Sequence, residues 1–240
     1  MILLKKYLFI LLLFCLFLTF IYFLFLRKDI YTFHSVSLIA SNQLDTEKKI
    51  EEIAPDYTYK VNIHYPYTGY SILNQEIESL IKKYLDDFIT ASKPIIDNQI
   101  YSLDITYDTY SYQDIVSYVF TIFVNTGGAH PNTIIDTISY DKKENKVITI
   151  SELVKDNPDL LSFLSNKSRE ELLKNKDLQN QSIKEMLLEG TAPINDNFKN
   201  FAFTPNGFTV YFNRYQVAPY SYGSFYIIIP YSELNINRRS

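Results

Sequence analysis

Three patterns of apolar and polar residues succeed one another along the chain, and each marks a different kind of element. Tyr7 to Leu26 reads YLFILLLFCLFLTFIYFLFL, an uncharged run in which only Thr19 is clearly polar. At about 1.5 Å per residue, a helix of that length spans roughly 30 Å, the thickness of bilayer hydrocarbon. The run is longer than the roughly 7–15-residue core of a secretory signal peptide, and Arg27-Lys28 follows it in place of a small-residue cleavage site. It reads as an uncleaved signal anchor crossing a membrane through residues 7–26; a removed signal peptide is the alternative. Lys5 and Lys6 before the span are balanced by Arg27 and Lys28 after it, so charge alone does not orient it. The short head, unable to fold, is placed in the cytoplasm, and the long body is placed outside.

Asp29 to Ile50 has few periodic apolar positions and reads as a stalk. From Tyr57 to Tyr67 the apolar positions alternate (Tyr57, Tyr59, Val61, Ile63, Tyr65), which predicts a strand that Pro66 ends or confines to an edge. Leu73, Ile77, Leu80, Ile81, Tyr84, Leu85, Phe88 and Ile89 recur at helical spacing and predict one amphipathic helix over residues 71–92, stopped by Pro94. Strands follow at Tyr101–Tyr110, Ile115–Asn125, Thr133–Tyr140 and Lys146–Ile150. The second is apolar on both faces, as in a strand covered on both sides.

The period then returns to that of a helix. Ser151 is read as the N-cap of a short SELV turn. Helical spacing continues over Asp159–Asn175 and Gln179–Glu189, and Gly190 is read as a residue ending the last helix in left-handed conformation. Phe201–Thr204 and Phe208–Phe212 flank Pro205-Asn206-Gly207, a hairpin signal, and Phe225–Ile229 is the last strand. Strands, then helices, then strands indicate an α+β class: an N-terminal transmembrane helix followed by mixed antiparallel sheets with packed helices.

Composition narrows the function classes. The chain is 47% hydrophobic, which excludes a disordered polymer. One Cys, inside the apolar run, excludes a disulfide scaffold and a cysteine-ligated zinc site. Three His leave little for a histidine metal centre, and no metal or cofactor is expected. The formal charge of −4 hides a division: residues 29–240 hold all 27 acidic residues and 19 of the 23 basic ones, a net charge of −8. An acidic body argues against a nucleic-acid partner.

Two runs stand out as candidate chemistry. In Gly127-Gly128-Ala129-His130-Pro131, adjoining glycines predict a tight turn with positive φ that fixes His130 before a proline. Histidine titrates near neutrality, as a general base must, but no Ser, Cys or carboxylate stands at a catalytic spacing. His130 is therefore read as a turn residue bonded to backbone or as a ligand contact. The second run is Tyr211-Phe212-Asn213-Arg214-Tyr215-Gln216-Val217-Ala218-Pro219-Tyr220-Ser221-Tyr222-Gly223. Tyr215, Tyr220 and Tyr222 offer large, rigid, amphipathic contact area, with Pro219 and Gly223 shaping the loop; packing between strands is the plainer account. No catalytic residue is assigned.

GGAHP, the SELV turn, the YFNRYQVAPYSYG run and the closing IPYSEL together resemble a pair of adjoining extracytoplasmic domains of unknown function found in Gram-positive bacteria. Such pairs occur in the lysozyme-sensing anti-sigma factor of the sigma-V system and in the N-terminal region of a membrane-bound peptidoglycan N-acetylmuramic acid deacetylase. The resemblance spans roughly Ile50 to Asn235. It implies a head and anchor over residues 1–28, a stalk over 29–50, a first α+β domain over 51–147 and a second over 148–236. Met1–Lys6 is too short to hold a sigma factor, and no metal-binding Asp and His signature of a deacetylase follows IPYSEL. The expectation is thus the extracytoplasmic module on an anchor, without either output. It implies a binding module for a lysozyme-like hydrolase or for cell-wall glycan; the acidic body suits a cationic protein such as lysozyme. The alternative is a glycan-modifying enzyme or an accessory domain of a peptidoglycan deacetylase system.

Overall fold

The computed structural model describes residues 45–54, 59–92 and 101–234. The expected membrane span and cytoplasmic head, stalk residues 29–44, Pro94 and residues 235–236 lie outside these segments. Among the described residues, no helix is long and apolar enough to cross a membrane.

The described chain is α+β, with two sheets and four α-helices. β1 (Thr46–Ile53), β2 (Tyr59–Tyr67), β3 (Tyr101–Tyr112), β4 (Ile115–Asn125), β5 (Asn132–Asp141) and β6 (Lys146–Ile148) follow one another across a six-stranded sheet. All neighbours are antiparallel except β2 and β3. Parallel neighbours need a crossover, and α1 (Ser71–Ala91) supplies it. The helix buries Leu73, Ile77, Ile81, Tyr84 and Phe88 against Val61, Ile63, Leu103, Ile105 and Phe120 of the sheet. Each fully buried side chain of this size contributes about 1.5–3 kcal/mol. Pro66 lies opposite Glu47 of β1, beyond Ile63, the last β2 residue paired with β3. Its missing N–H therefore costs the β3 ladder nothing.

After β6 come α2 (Ile150–Asp156), α3 (Leu160–Leu172) and α4 (Gln181–Gly190), and then β7 (Phe201–Thr204), β8 (Gly207–Phe212) and β9 (Phe225–Ile229), which form a second, antiparallel sheet in that order. Phe201, Phe203, Phe208, Val210, Phe212, Ile227 and Ile229 face the helices and make a second core with Leu164, Leu172, Ile183 and Leu187.

The apolar character of both faces of β4 has a direct cause. Val116, Tyr118, Phe120 and Ile122 meet the α1 side. On the opposite face Val119 packs with Ala202 of β7 and Tyr211 of β8, and Ser117 Oγ accepts from the Phe203 N–H at 3.0 Å. The two sheets are thus fastened by side chains: Phe201 N–H donates to Thr137 Oγ1 at 2.9 Å and its carbonyl accepts from Ser139 Oγ at 3.4 Å, while Ser117 and Ser139 share a hydrogen bond of 2.8 Å within the six-stranded sheet.

Three local expectations are corrected. Residues 46–50, assigned to the stalk, open β1. The charged run Glu47-Lys48-Lys49 obscured this because β1 is an edge strand, where charge protects an open ladder. Lys48 lies over the Tyr67 ring at 3.8 Å and pairs with Glu78 at 2.8 Å. The N-cap of α2 is Thr149, not Ser151: Thr149 and Glu152 form a reciprocal capping box, which also ends β6 two residues earlier than expected. Gly190 is the last residue of α4 rather than a left-handed residue after it. A Cβ there would stand 1.8 Å from the Gln216 carbonyl oxygen, so close approach is what requires glycine.

Candidate functional site

Two loops bracket the candidate site: residues 126–131, between β4 and β5, and residues 213–224, between β8 and β9. The second is held at two points. The Asn213 side-chain amide bonds both backbone groups of Ile135: Oδ1 accepts from the N–H at 2.6 Å and Nδ2 donates to the carbonyl at 2.9 Å. Ile135 lies on the stretch of β5 that β6 leaves unpaired, since β6 pairs only with Ser139–Asp141. Asn213 therefore takes the place of a strand neighbour. Gln216 Nε2 donates to the carbonyls of Gly190 at 3.1 Å and Asn197 at 2.9 Å, and its Oε1 accepts from the Asn213 N–H at 3.1 Å.

Between these anchors stands Tyr215, with φ +65° and 55% exposure. A bulky residue in the left-handed region costs about 1–2 kcal/mol. Such strain persists only where the surroundings impose it, and it is more frequent at functional positions than elsewhere. Val217 and Ala218, just beyond, are buried in the second core. Packing and presentation thus divide the run between them.

The first loop meets the second through His130. The His130 ring stacks on Tyr220 with centroids 3.7 Å apart and planes 22° apart. Tyr215 lies 5.6 Å from Tyr220, ring to ring, and its hydroxyl is 3.3 Å from His130 Nε2. His130 Nδ1 lies 3.4 Å from the Pro131 carbonyl, so this nitrogen is the donor; in the neutral ring Nε2 then accepts from the Tyr215 hydroxyl. Tyr220 Oη donates to the same Pro131 carbonyl at 2.5 Å. The Arg214 guanidinium lies over the Tyr220 ring at 4.4 Å, and Nη1 donates to the Tyr220 carbonyl at 3.3 Å. One patch therefore carries an exposed imidazole, two tyrosines and a guanidinium.

The other nominated residues have narrower places. Gly127 has φ +75° and donates to Asn125 Oδ1 at 3.2 Å, which fits the expected turn. Gly128 does not need positive φ, and a Cβ on it would meet nothing within 4 Å. Pro219 accepts from the Tyr222 N–H at 3.0 Å, and Gly223 ends that turn with φ +81°. Tyr222 is exposed on the same loop. Arg214, Asn213 and Gln216 were not nominated. A polar pair flanking a tyrosine in the connection between two strands was the available signal.

Among the described residues, no carboxylate stands within ion-pair distance of His130, whose contacts are to Pro131 and Tyr215, and no group of three or more His, Cys, Asp or Glu is placed to hold a metal ion. Surface cavities of about 250 and 340 Å³ lie elsewhere; the first is bordered by Thr137, Ser151, Asn195 and Lys199, the second by Asp156, Asp159, Phe163 and Glu233. On β3, Asp108 is half-buried, and burial pushes its carboxyl pKa up. Burial also raises the pKa of Tyr110 and Tyr211, and the nearby Asp108 charge adds to the rise in both.

Comparison with known proteins gives the chain its relatives. Its sequence is 29% identical over 165 residues to the peptidoglycan-N-acetylmuramic acid deacetylase PdaC of Bacillus subtilis, covering 67% of this chain. The chain spans 35% of that deacetylase's length. It is 26% identical over 196 residues to the immunogenic protein MPT64 of Mycobacterium tuberculosis, covering 80% of this chain and 83% of the relative. Among solved structures, a DUF3298 family protein from Pseudomonas aeruginosa has the same fold, with a TM-score of 0.58 at 20% identity over 83% of this chain and 94% of its own. A second member, from Bacteroides fragilis, gives 0.56 at 17% identity over 80% and 91%. Residues 151–232, which include the whole aromatic loop, match the family described as "Protein of unknown function (DUF3298)".

Proposed function

We propose that the chain is a membrane-anchored, extracytoplasmic binding module that recognises cell-wall glycan through the patch formed by His130, Arg214, Tyr215 and Tyr220. The observation that carries this reading is the meeting of the GGAHP loop with the aromatic loop on one exposed surface. Tyrosine suits sugars because its ring covers apolar C–H faces while its hydroxyl bonds hydroxyl groups. The similarity to a deacetylase named for peptidoglycan supports a wall-related role, and the apolar run over residues 7–26 supports an anchor. The reading that favours a cationic protein such as lysozyme rests on the resemblance to a lysozyme-sensing domain pair and on the body's net charge. The patch itself presents a guanidinium, which a cationic partner would avoid.

The test is retention of the full chain, purified in mild detergent, on insoluble peptidoglycan. Tyr215→Gly removes the exposed ring and relieves the positive-φ strain, so its thermal midpoint stays level or rises. Retention of the variant is expected to drop about tenfold, the equivalent of roughly 1.4 kcal/mol. Equal retention of the variant and the parent, or none for the parent, would contradict the proposal.

A further inference from the structure

The glycan reading leaves the kind of sugar open, and the charge arrangement around Arg214 narrows it; this step rests on that reading. Most cations of the body for which a contact is resolved are already committed. Lys48 pairs with Glu78, Lys49 with Glu47, Lys82 with Asp86 and Lys174 with Glu171, while Lys167 is shared among Glu170, Glu171 and Glu233. Arg169 caps the end of α4 through Thr191 and the Leu188 carbonyl. Arg214 differs from all of these. Among the described residues, no carboxylate stands within ion-pair distance of it, its one side-chain hydrogen bond runs from Nη1 to the Tyr220 carbonyl, and its buried Nε–H has no partner.

A guanidinium carries five N–H donors in a planar fork matched to a carboxylate. Here most of that capacity is unused, beside two tyrosines and an imidazole. The surroundings sharpen the point. A body with a net charge of −8 repels acidic polymers as a whole, so any preference for an acidic ligand has to originate locally.

We infer that the patch selects carboxylate-bearing saccharides, with Arg214 as the specificity-determining group that receives the sugar carboxylate while Tyr215 covers an adjoining ring face. His130 stacks on Tyr220 beside it. A muramic acid unit bears such a carboxylate on its lactyl ether; an N-acetylglucosamine unit has none. A glycan alternating the two presents one carboxylate per disaccharide.

The test uses the full chain in detergent and two probes of equal length: peptide-free wall glycan, with free lactyl carboxylates, and chitin oligomers, which are neutral. The parent protein is expected to bind the acidic glycan about tenfold more tightly at low ionic strength, and the preference is expected to shrink as salt rises. Arg214→Gln is expected to abolish the preference, so that the acidic glycan and chitin bind alike; Arg214→Lys, which keeps charge without the fork, is expected to retain part of it. Equal binding of both probes by the parent would overturn the carboxylate inference and leave the glycan reading standing. Binding of neither probe would overturn both. The salt dependence is read on the parent protein and holds whatever the variants do to folding.

Discussion

Asn213 pairs its side-chain amide with both the N–H and the carbonyl of Ile135, at 2.6 and 2.9 Å, so that one residue of the β8–β9 loop completes the open edge of β5. β5 belongs to the six-stranded sheet, and β8 and β9 belong to the three-stranded one. Through this residue, the geometry of the recognition loop depends on the six-stranded sheet.

Asn213→Ala leaves two backbone groups of half-buried Ile135 without their partner. Loss of stability by about 2–3 kcal/mol follows from two unsatisfied groups at roughly 1–1.5 kcal/mol each. Asn213→Asp keeps the acceptor but loses the donor, and it sets a carboxylate against the Ile135 carbonyl. Chemical denaturation of both variants checks this, and a loss under about 0.5 kcal/mol for either would show that the edge is not held this way.

The glycines separate two causes that sequence alone merges. Gly190→Ala drives a Cβ to 1.8 Å from the Gln216 carbonyl oxygen. The contact is backbone against backbone and cannot relax cheaply, so a loss of about 2–4 kcal/mol is expected, with displacement of the loop that carries Tyr215. Gly128→Ala meets nothing within 4 Å and has no positive φ to satisfy. It should be neutral or stabilise by up to about 1 kcal/mol through the unfolded chain. Thermal unfolding of the two variants side by side is the check, and equal destabilisation would contradict the assignment.

Asp108 predicts a pH dependence. Burial raises its folded-state pKa above that of the unfolded chain. Its protonated form is therefore favoured in the folded state, and stability is lost as pH rises through the folded-state pKa. At neutral pH the ionised carboxyl is a liability. Asp108→Asn is expected to stabilise the protein at pH 7 by less than about 1 kcal/mol, a modest figure because the group is only half buried. The gain should vanish below the ordinary Asp range, near about pH 4. Unfolding midpoints from pH 3 to pH 8 measure it; a gain that grows toward acid pH would show the sign to be wrong.

Where the pattern of the chain reflects local burial, it could be read directly. The spacing of Leu73, Ile77, Ile81, Tyr84 and Phe88 is the buried stripe of α1, and the doubly apolar run of β4 records two covered faces. β1 was hidden because its stability comes from pairing with β2 and from Lys48–Glu78, not from an apolar face of its own. Thr149 was passed over in favour of Ser151 because both belong to types that cap helices; only the reciprocal bond to Glu152 distinguishes them. For the patch, the two runs were visible as unusual. Their meeting was not, because His130 and Tyr220 are 90 residues apart and are brought together by the packing of one sheet on the other. The role of Gln216, which reaches the carbonyls of Gly190 and Asn197, is likewise a property of the assembled fold.

The most direct test of the glycan-recognition account is amide hydrogen exchange of the full chain with and without peptide-free wall glycan. The account predicts slowed exchange confined to residues 126–132 and 213–224, with the remainder of both sheets unchanged. Protection centred on the cavity bordered by Thr137, Ser151, Asn195 and Lys199, or no protection at saturating glycan, would contradict it.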